Sequence, residues 1–135
     1  MSKIIALDYG TKRTGIAETD DLQIIASGLT TVSTRELFDF LKKYMAENDV
    51  EAIVLGEPKR MDGSDTHSSE AIRKLKVKLG TTFGLPVHMV DERFTSKMAF
   101  QTMIDSGLKK KQRQNKALVD EISATIILQS YLETK

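Results

Sequence analysis

The sequence predicts an α/β domain built on a mixed sheet, with helices on both faces. Three observations predict it. The run Lys3-Ile4-Ile5-Ala6-Leu7 is continuously apolar after its first residue and ends on Asp8, as expected of a strand buried on both faces. Two further strand-like stretches, Thr14 to Thr19 and Leu22 to Val32, follow within a hairpin's reach. From residue 34 onward, helical periodicities alternate with short apolar runs that end in acids. Such alternation builds parallel strands through right-handed crossovers.

Each element has its own warrant. Asp20-Asp21 supplies the expected tip between the second and third strands. Ser33-Thr34-Arg35-Glu36 has capping-box spacing, and Leu37, Phe38, Leu41, Tyr44 and Met45 follow at helical intervals, predicting a helix from about 34 to 48. Ala52-Ile53-Val54-Leu55 is a fourth strand ending at Gly56-Glu57-Pro58, before a polar loop with Asp62-Gly63-Ser64. Ile72, Leu75 and Leu79 mark a second helix, stopped by Gly80 or Gly84, and Pro86-Val87-His88-Met89-Val90 is a fifth strand ending on Asp91-Glu92-Arg93. Thr95 or Ser96 can cap a short helix carrying Met98, Ala99, Met103 and Ile104, broken near Gly107. The basic loop Lys109-Lys110-Lys111-Gln112-Arg113 leads to a last helix from about 115 to 133.

The 135 residues suit a single domain, 1–135, able to bury about two thirds of its unfolded surface. The absence of cysteine removes disulfides, thiolate nucleophiles and thiolate zinc sites, and with no signal-peptide pattern predicts a cytoplasmic protein. No apolar run approaches the roughly 18 residues of a membrane span, so no membrane partner is expected. The formal net charge is +1, so affinity for nucleic acid must come from where the cations sit.

The acids form the chemical pattern. Asp8, Glu57 and the Asp91-Glu92 pair all lie just beyond carboxyl ends of predicted parallel strands, the edge on which open α/β sheets place ligands. Asp120 joins them from the last helix, where Ala124, Ile127 and Tyr131 follow at offsets that put it on an apolar stripe. Two carboxylates about 4 Å apart repel by roughly 4 kcal/mol at an effective dielectric of about 20, so converging acids require protons or cations. Oxygen-only ligands select Mg²⁺ or Mn²⁺, and two ions about 3.5–4 Å apart suit in-line phosphodiester hydrolysis. Any single acid is better read as a turn former, a salt-bridge partner of Lys116 or a solvated strand end, and the set together as a metal site.

The cations match. Lys12 and Arg13, with the hydroxyls of Thr11 and Thr14, follow Asp8; Arg93 follows Glu92; Lys109, Lys110, Lys111, Arg113 and Lys116 precede Asp120. Lysine and arginine supply most phosphate contacts to nucleic acids, and the guanidinium of Arg93 can grip a phosphate bidentately. The four aromatic residues Phe83, Phe94, Phe100 and Tyr131 read as core, and neither His67 nor His88 has a partner at metal-ligand spacing.

These blocks resemble the YqgF/RuvX family, ribonuclease H-like proteins described as Holliday junction resolvase homologues and nucleases of pre-16S ribosomal RNA. The resemblance runs in order over almost the whole chain: Leu7 to Ala17, Val54 to Pro58 with Met61-Asp62-Gly63-Ser64, Asp91-Glu92-Arg93-Phe94-Thr95-Ser96, and Lys116 to Ala124 with Ile127 to Leu132. It implies a ribonuclease H-like fold with a mixed five-stranded sheet, and a metal-dependent nuclease that processes the 5′ end of pre-16S ribosomal RNA. Asp8, Glu92 and Asp120 become the catalytic and metal-binding acids, with Asp8 between two ions. Adjacent strand residues face opposite ways, so Asp91 remains an alternative to Glu92 as the ligand. Glu57 stands where the family commonly has an apolar residue, and is either a fourth acid or a surface change.

The implied partner is RNA, with branched DNA as an alternative substrate and the chain a monomer or weak homodimer. Two other classes compete with the nuclease. An actin-like nucleotide binder would use a similar Asp-x-Gly-Thr turn but needs two such domains, and a ribosome-assembly factor could bind nucleic acid without turnover.

Overall fold

Five strands, β1 (Lys3–Tyr9), β2 (Arg13–Thr19), β3 (Ala26–Ser33), β4 (Val50–Glu57) and β5 (Val87–Asp91), form one mixed sheet of order β3-β2-β1-β4-β5. The computed structural model describes residues 2–57, 69–91 and 116–134. The first three strands pair antiparallel, and β1–β4 and β4–β5 pair parallel. The carboxyl ends of β1, β4 and β5 therefore share one edge of the sheet.

Strand alternation divides the core in two. On one face Ile5, Leu7, Ile16, Ile53 and Leu55 pack with Leu37 and Leu41 of α1 (Leu37–Glu47) and with Ile72, Leu75 and Leu79 of α2 (Ser69–Phe83). On the other, Ile4, Ala6, Ala17, Ala52 and Val54 pack with Ala124, Ile127 and Leu128 of α3 (Lys116–Thr134). The second face is lined by small residues. That lets α3 lie close against the sheet, chiefly across β2, β3 and β1. Among the described residues no helix is long and apolar enough to cross a membrane.

Two local expectations are corrected. The third strand begins at Ala26 and not at Leu22. Asp20 Oδ1 accepts the N–H groups of Ile24 and Ile25 at 2.8 and 2.9 Å, and Gln23 adopts φ 59°, so local hydrogen bonds displace the sheet ladder there. These backbone bonds, that from Ile25 foremost, hold the Asp20 carboxyl below its usual value of 3.8. Leu22, Ile24 and Ile25 are consequently exposed at the tip.

The capping box at 33–36 does not form. Thr34–Glu36 is a 3-10 turn leading into α1, and neither Ser33 nor Glu36 makes a side-chain cap. Thr34 is recruited elsewhere: its N–H donates to the Lys12 carbonyl at 3.0 Å and its hydroxyl to the Gly10 carbonyl at 2.6 Å. The α1 entry is thereby tied to the turn after Asp8.

The far end of α1 is anchored by Glu18, which accepts from the Tyr44 hydroxyl at 2.8 Å and pairs with Lys3 at 3.1 Å. Burial, reinforced by Glu18, raises the Tyr44 phenol well above its usual value, so it acts as a neutral donor. Of the two glycines expected to stop α2, Gly84 does so, with φ +66° and its N–H on the Gly80 carbonyl at 2.9 Å. The short helix expected near residues 98–104, the loop with Asp62-Gly63-Ser64 and the basic loop at 109–113 lie outside the described residues.

Candidate active site

Asp8 is the last but one residue of β1 and shares the α3 face with Ile4 and Ala6. Its register partner on β2 is Gly15. A Cβ at Gly15 would collide with the carbonyl oxygen of Asp120 and lie 2.9 Å from the nitrogen of Glu121. The first turns of α3 thus lie directly on the missing side chain opposite Asp8. This contact brings the Asp8 and Asp120 segments together from positions more than a hundred residues apart.

Asp120 is fixed by a cation. Arg13 Nε donates to Asp120 Oδ2 at 2.8 Å, with the two side chains 40% and 22% exposed. Arg13, Gly15 and Ala17 share one face of β2, which is why the guanidinium emerges beside α3. The salt-bridge role considered for Asp120 from the sequence is filled by Arg13; the side chain of Lys116, the partner expected there, lies outside the described residues. The apolar stripe below is as expected, since Ala124 and Ile127 are buried and Tyr131 packs beside them, stacked on His88 at 5.2 Å between ring centroids.

Other expected residues are distributed differently. Glu57 and Asp91 are register partners across β4 and β5. They continue the alternation of Leu55 and Met89, whose side chains belong to the α1/α2 core, and so lie on the sheet face opposite Asp8. Thr14, expected to steady a phosphate, is fully buried. Its hydroxyl lies 3.0 Å from Thr34 Oγ1, and because Thr34 gives its proton to Gly10, Thr14 is the donor. Thr14 therefore braces the turn from below. Thr11 and Lys12 are exposed on the turn itself. Glu92, Arg93, Lys109, Lys110, Lys111 and Arg113 lie outside the described residues.

Sequence reasoning missed the part played by two glycines. Gly15 and Gly28 both vacate space for α3, the second for the side chain of Glu121, whose Oε1 lies 2.5 Å from where a Cβ would be. A glycine inside a strand pattern is the signal that could have found them, because it marks a close approach.

Carboxylate oxygens such as those of Asp8 and Asp120 are the donors a hard divalent cation takes. Among the described residues no group of three or more Asp, Glu or His residues could hold a metal.

A sequence profile described as "RuvX: Holliday junction resolvase" matches residues 2–134. The chain belongs to the RuvX family. Its curated relatives include a "Putative pre-16S rRNA nuclease" of Flavobacterium johnsoniae, 60% identical over 136 residues that cover 100% of this chain and 99% of the relative. A second of the same name, from Bacteroides fragilis, is 58% identical over 139 residues with coverage of 100% and 99%. Among solved structures, the Fowlpox virus resolvase bound to Holliday junction DNA superposes with TM-score 0.63 at 15% identity, covering 98% of this chain and 97% of that one. T. thermophilus RuvC with a Holliday junction substrate gives 0.58 at 14% identity, covering 99% and 98%. The expected ribonuclease H-like fold, a five-stranded mixed sheet with helices on both faces, is the one this RuvX family member adopts.

Proposed function

We propose that this RuvX family member is a metal-dependent nuclease that hydrolyses phosphodiester bonds in processing the 5′ end of pre-16S ribosomal RNA. The observation that carries the reading is the packing of the Asp120 main chain on Gly15, the register partner of Asp8. Oxygen ligands on this face of the sheet edge suit a hard divalent cation, and the curated relatives' name supplies the substrate.

Asp8, Glu92 and Asp120 would hold Mg²⁺ or Mn²⁺. Asp91 continues the Met89 face, opposite Asp8, which argues against Asp91 as the ligand. The same alternation argues against Glu57 as a ligand. A bound divalent ion supplies an activated water and neutralises charge at the leaving oxygen. The protein's own groups do the rest. Arg13 holds the Asp120 carboxylate in one orientation, while Thr11, Lys12 and Arg93 fix the scissile phosphate so that water attacks in line. The products are a 5′-phosphate and a 3′-hydroxyl.

Purified protein with pre-16S RNA ends and Mg²⁺ or Mn²⁺ should yield cleavage that EDTA stops. Asp8→Asn should abolish it while leaving the melting temperature and RNA binding largely intact. Undiminished cleavage by that variant would sink the assignment. A second reading, symmetric cutting of four-way DNA junctions, is favoured by the family's description and is tested by a branched DNA substrate in the same assay.

A further inference from the structure

The face of the sheet opposite Asp8 carries a groove whose cations the proposed chemistry does not use, with Thr11 alone shared between the two. It has a volume of about 510 Å³ and lies between the turn after β1, the start of α1 and the first half of α2. Tyr9 and Thr11 form one wall, and Arg35, Lys74 and Lys78 bring three cations to it. No acid lines it among the described residues.

The cations are presented, not buried. Lys78 Nζ sits 4.7 Å over the ring of Phe38, whose other neighbour is Phe83 at 5.9 Å between ring centroids, so the ammonium is held at the groove by an aromatic seat. Lys74 pairs with Glu70 at 3.5 Å, but both side chains are more than three quarters exposed, and such a pair yields easily to a phosphate. Arg35 is exposed at the entry to α1. Glu57 and Asp91 lie on this same face toward β5, which confines attraction for a polyanion to the α1/α2 side.

Tyr9 directly follows Asp8 along β1. The groove and the carboxylate edge are therefore reached from one end of one strand, on opposite faces of the sheet. Resting on the nuclease reading for its ligand, we infer that this groove binds the phosphate backbone of a single-stranded segment flanking the scissile bond, through Arg35, Lys74 and Lys78.

The experiment uses Asp8→Asn protein without divalent metal, so that binding is read apart from cleavage. Affinity for a labelled 12-nucleotide single-stranded RNA is measured across salt concentrations. Arg35→Ala/Lys74→Ala/Lys78→Ala should weaken binding at least tenfold, and three lost contacts at about 0.7 per phosphate should lower the salt slope by about 2. Lys42→Ala/Lys43→Ala/Lys76→Ala, which removes the same charge from other exposed positions, should keep the slope. Equal losses in both triple variants, or no loss in the first, would overturn the inference. If the groove variant behaves as stated but wild-type protein never cleaves, the nuclease reading fails and the groove stands; cleavage with an unchanged slope fails the groove alone. Circular dichroism melting of each variant confirms that both triple variants fold.

Discussion

The space where a Gly15 side chain would stand is filled by the main chain of Asp120. Because Gly15 is the register partner of Asp8, the contact joins the edge of the sheet to the first turns of α3 at the point where the two acids face the same side. The neighbouring small residues Ala6, Ala17 and Ala52 make the same allowance farther along the helix.

Gly15→Ala should therefore cost about 1–3 kcal/mol, since backbone on both sides must move to admit one methyl group. Gly28→Ala should cost less, because its obstacle is the flexible side chain of Glu121. Thermal or urea unfolding of the two variants compares them, and an equal or reversed order contradicts the backbone contact at Gly15.

Removing the guanidinium with Arg13→Met should lower stability by no more than about 1 kcal/mol, because the pair with Asp120 is partly exposed and screened. It should also free the Asp120 carboxylate from the orientation that Arg13 imposes. Calorimetric titration without nucleic acid should then show weaker Mg²⁺ binding than wild type. Tighter binding would mean that Arg13 competes with the ion more than it orients the carboxylate.

Thr34→Val tests the brace beneath the turn. The change strands the Gly10 carbonyl and the buried Thr14 hydroxyl, each of which bonds to Thr34. A loss of about 1–3 kcal/mol is expected for an unmet buried polar group. Thr34→Ser should recover most of it, and chemical denaturation of both variants reads the difference.

The β2–β3 tip should loosen in acid. Asp20's carboxyl is held below 3.8 by the Ile25 and Ile24 amides, so its contribution is present above that value and is lost as pH falls through the lower folded value. Amide hydrogen exchange or chemical shifts at Ile24 and Ile25 should report the change below about pH 4. Unchanged amide signals down to pH 2 would remove Asp20 from this role, and Asp20→Asn should weaken the tip at neutral pH.

The order of the five strands and of α1, α2 and α3, with the two faces of the sheet, was legible locally in the sequence, because burial on both sides of β1 and β4 and the period of the helices are repeated signals. The sequence also marked Asp8 and Asp120 as acids in unusual company. Only the tertiary structure decided which residues meet. Strand pleating sends Glu57 and Asp91 to the face opposite Asp8, although all three sit at strand ends in the sequence. Burial removes Thr14 from the phosphate-facing side of the turn after Asp8, and Thr34 holds that turn in place of a capping box at 33–36. Asp120 is paired with Arg13, 107 residues away in the sequence. Composition and spacing cannot encode such choices locally, because they depend on which face of a strand a distant helix covers and on how closely glycine lets it approach.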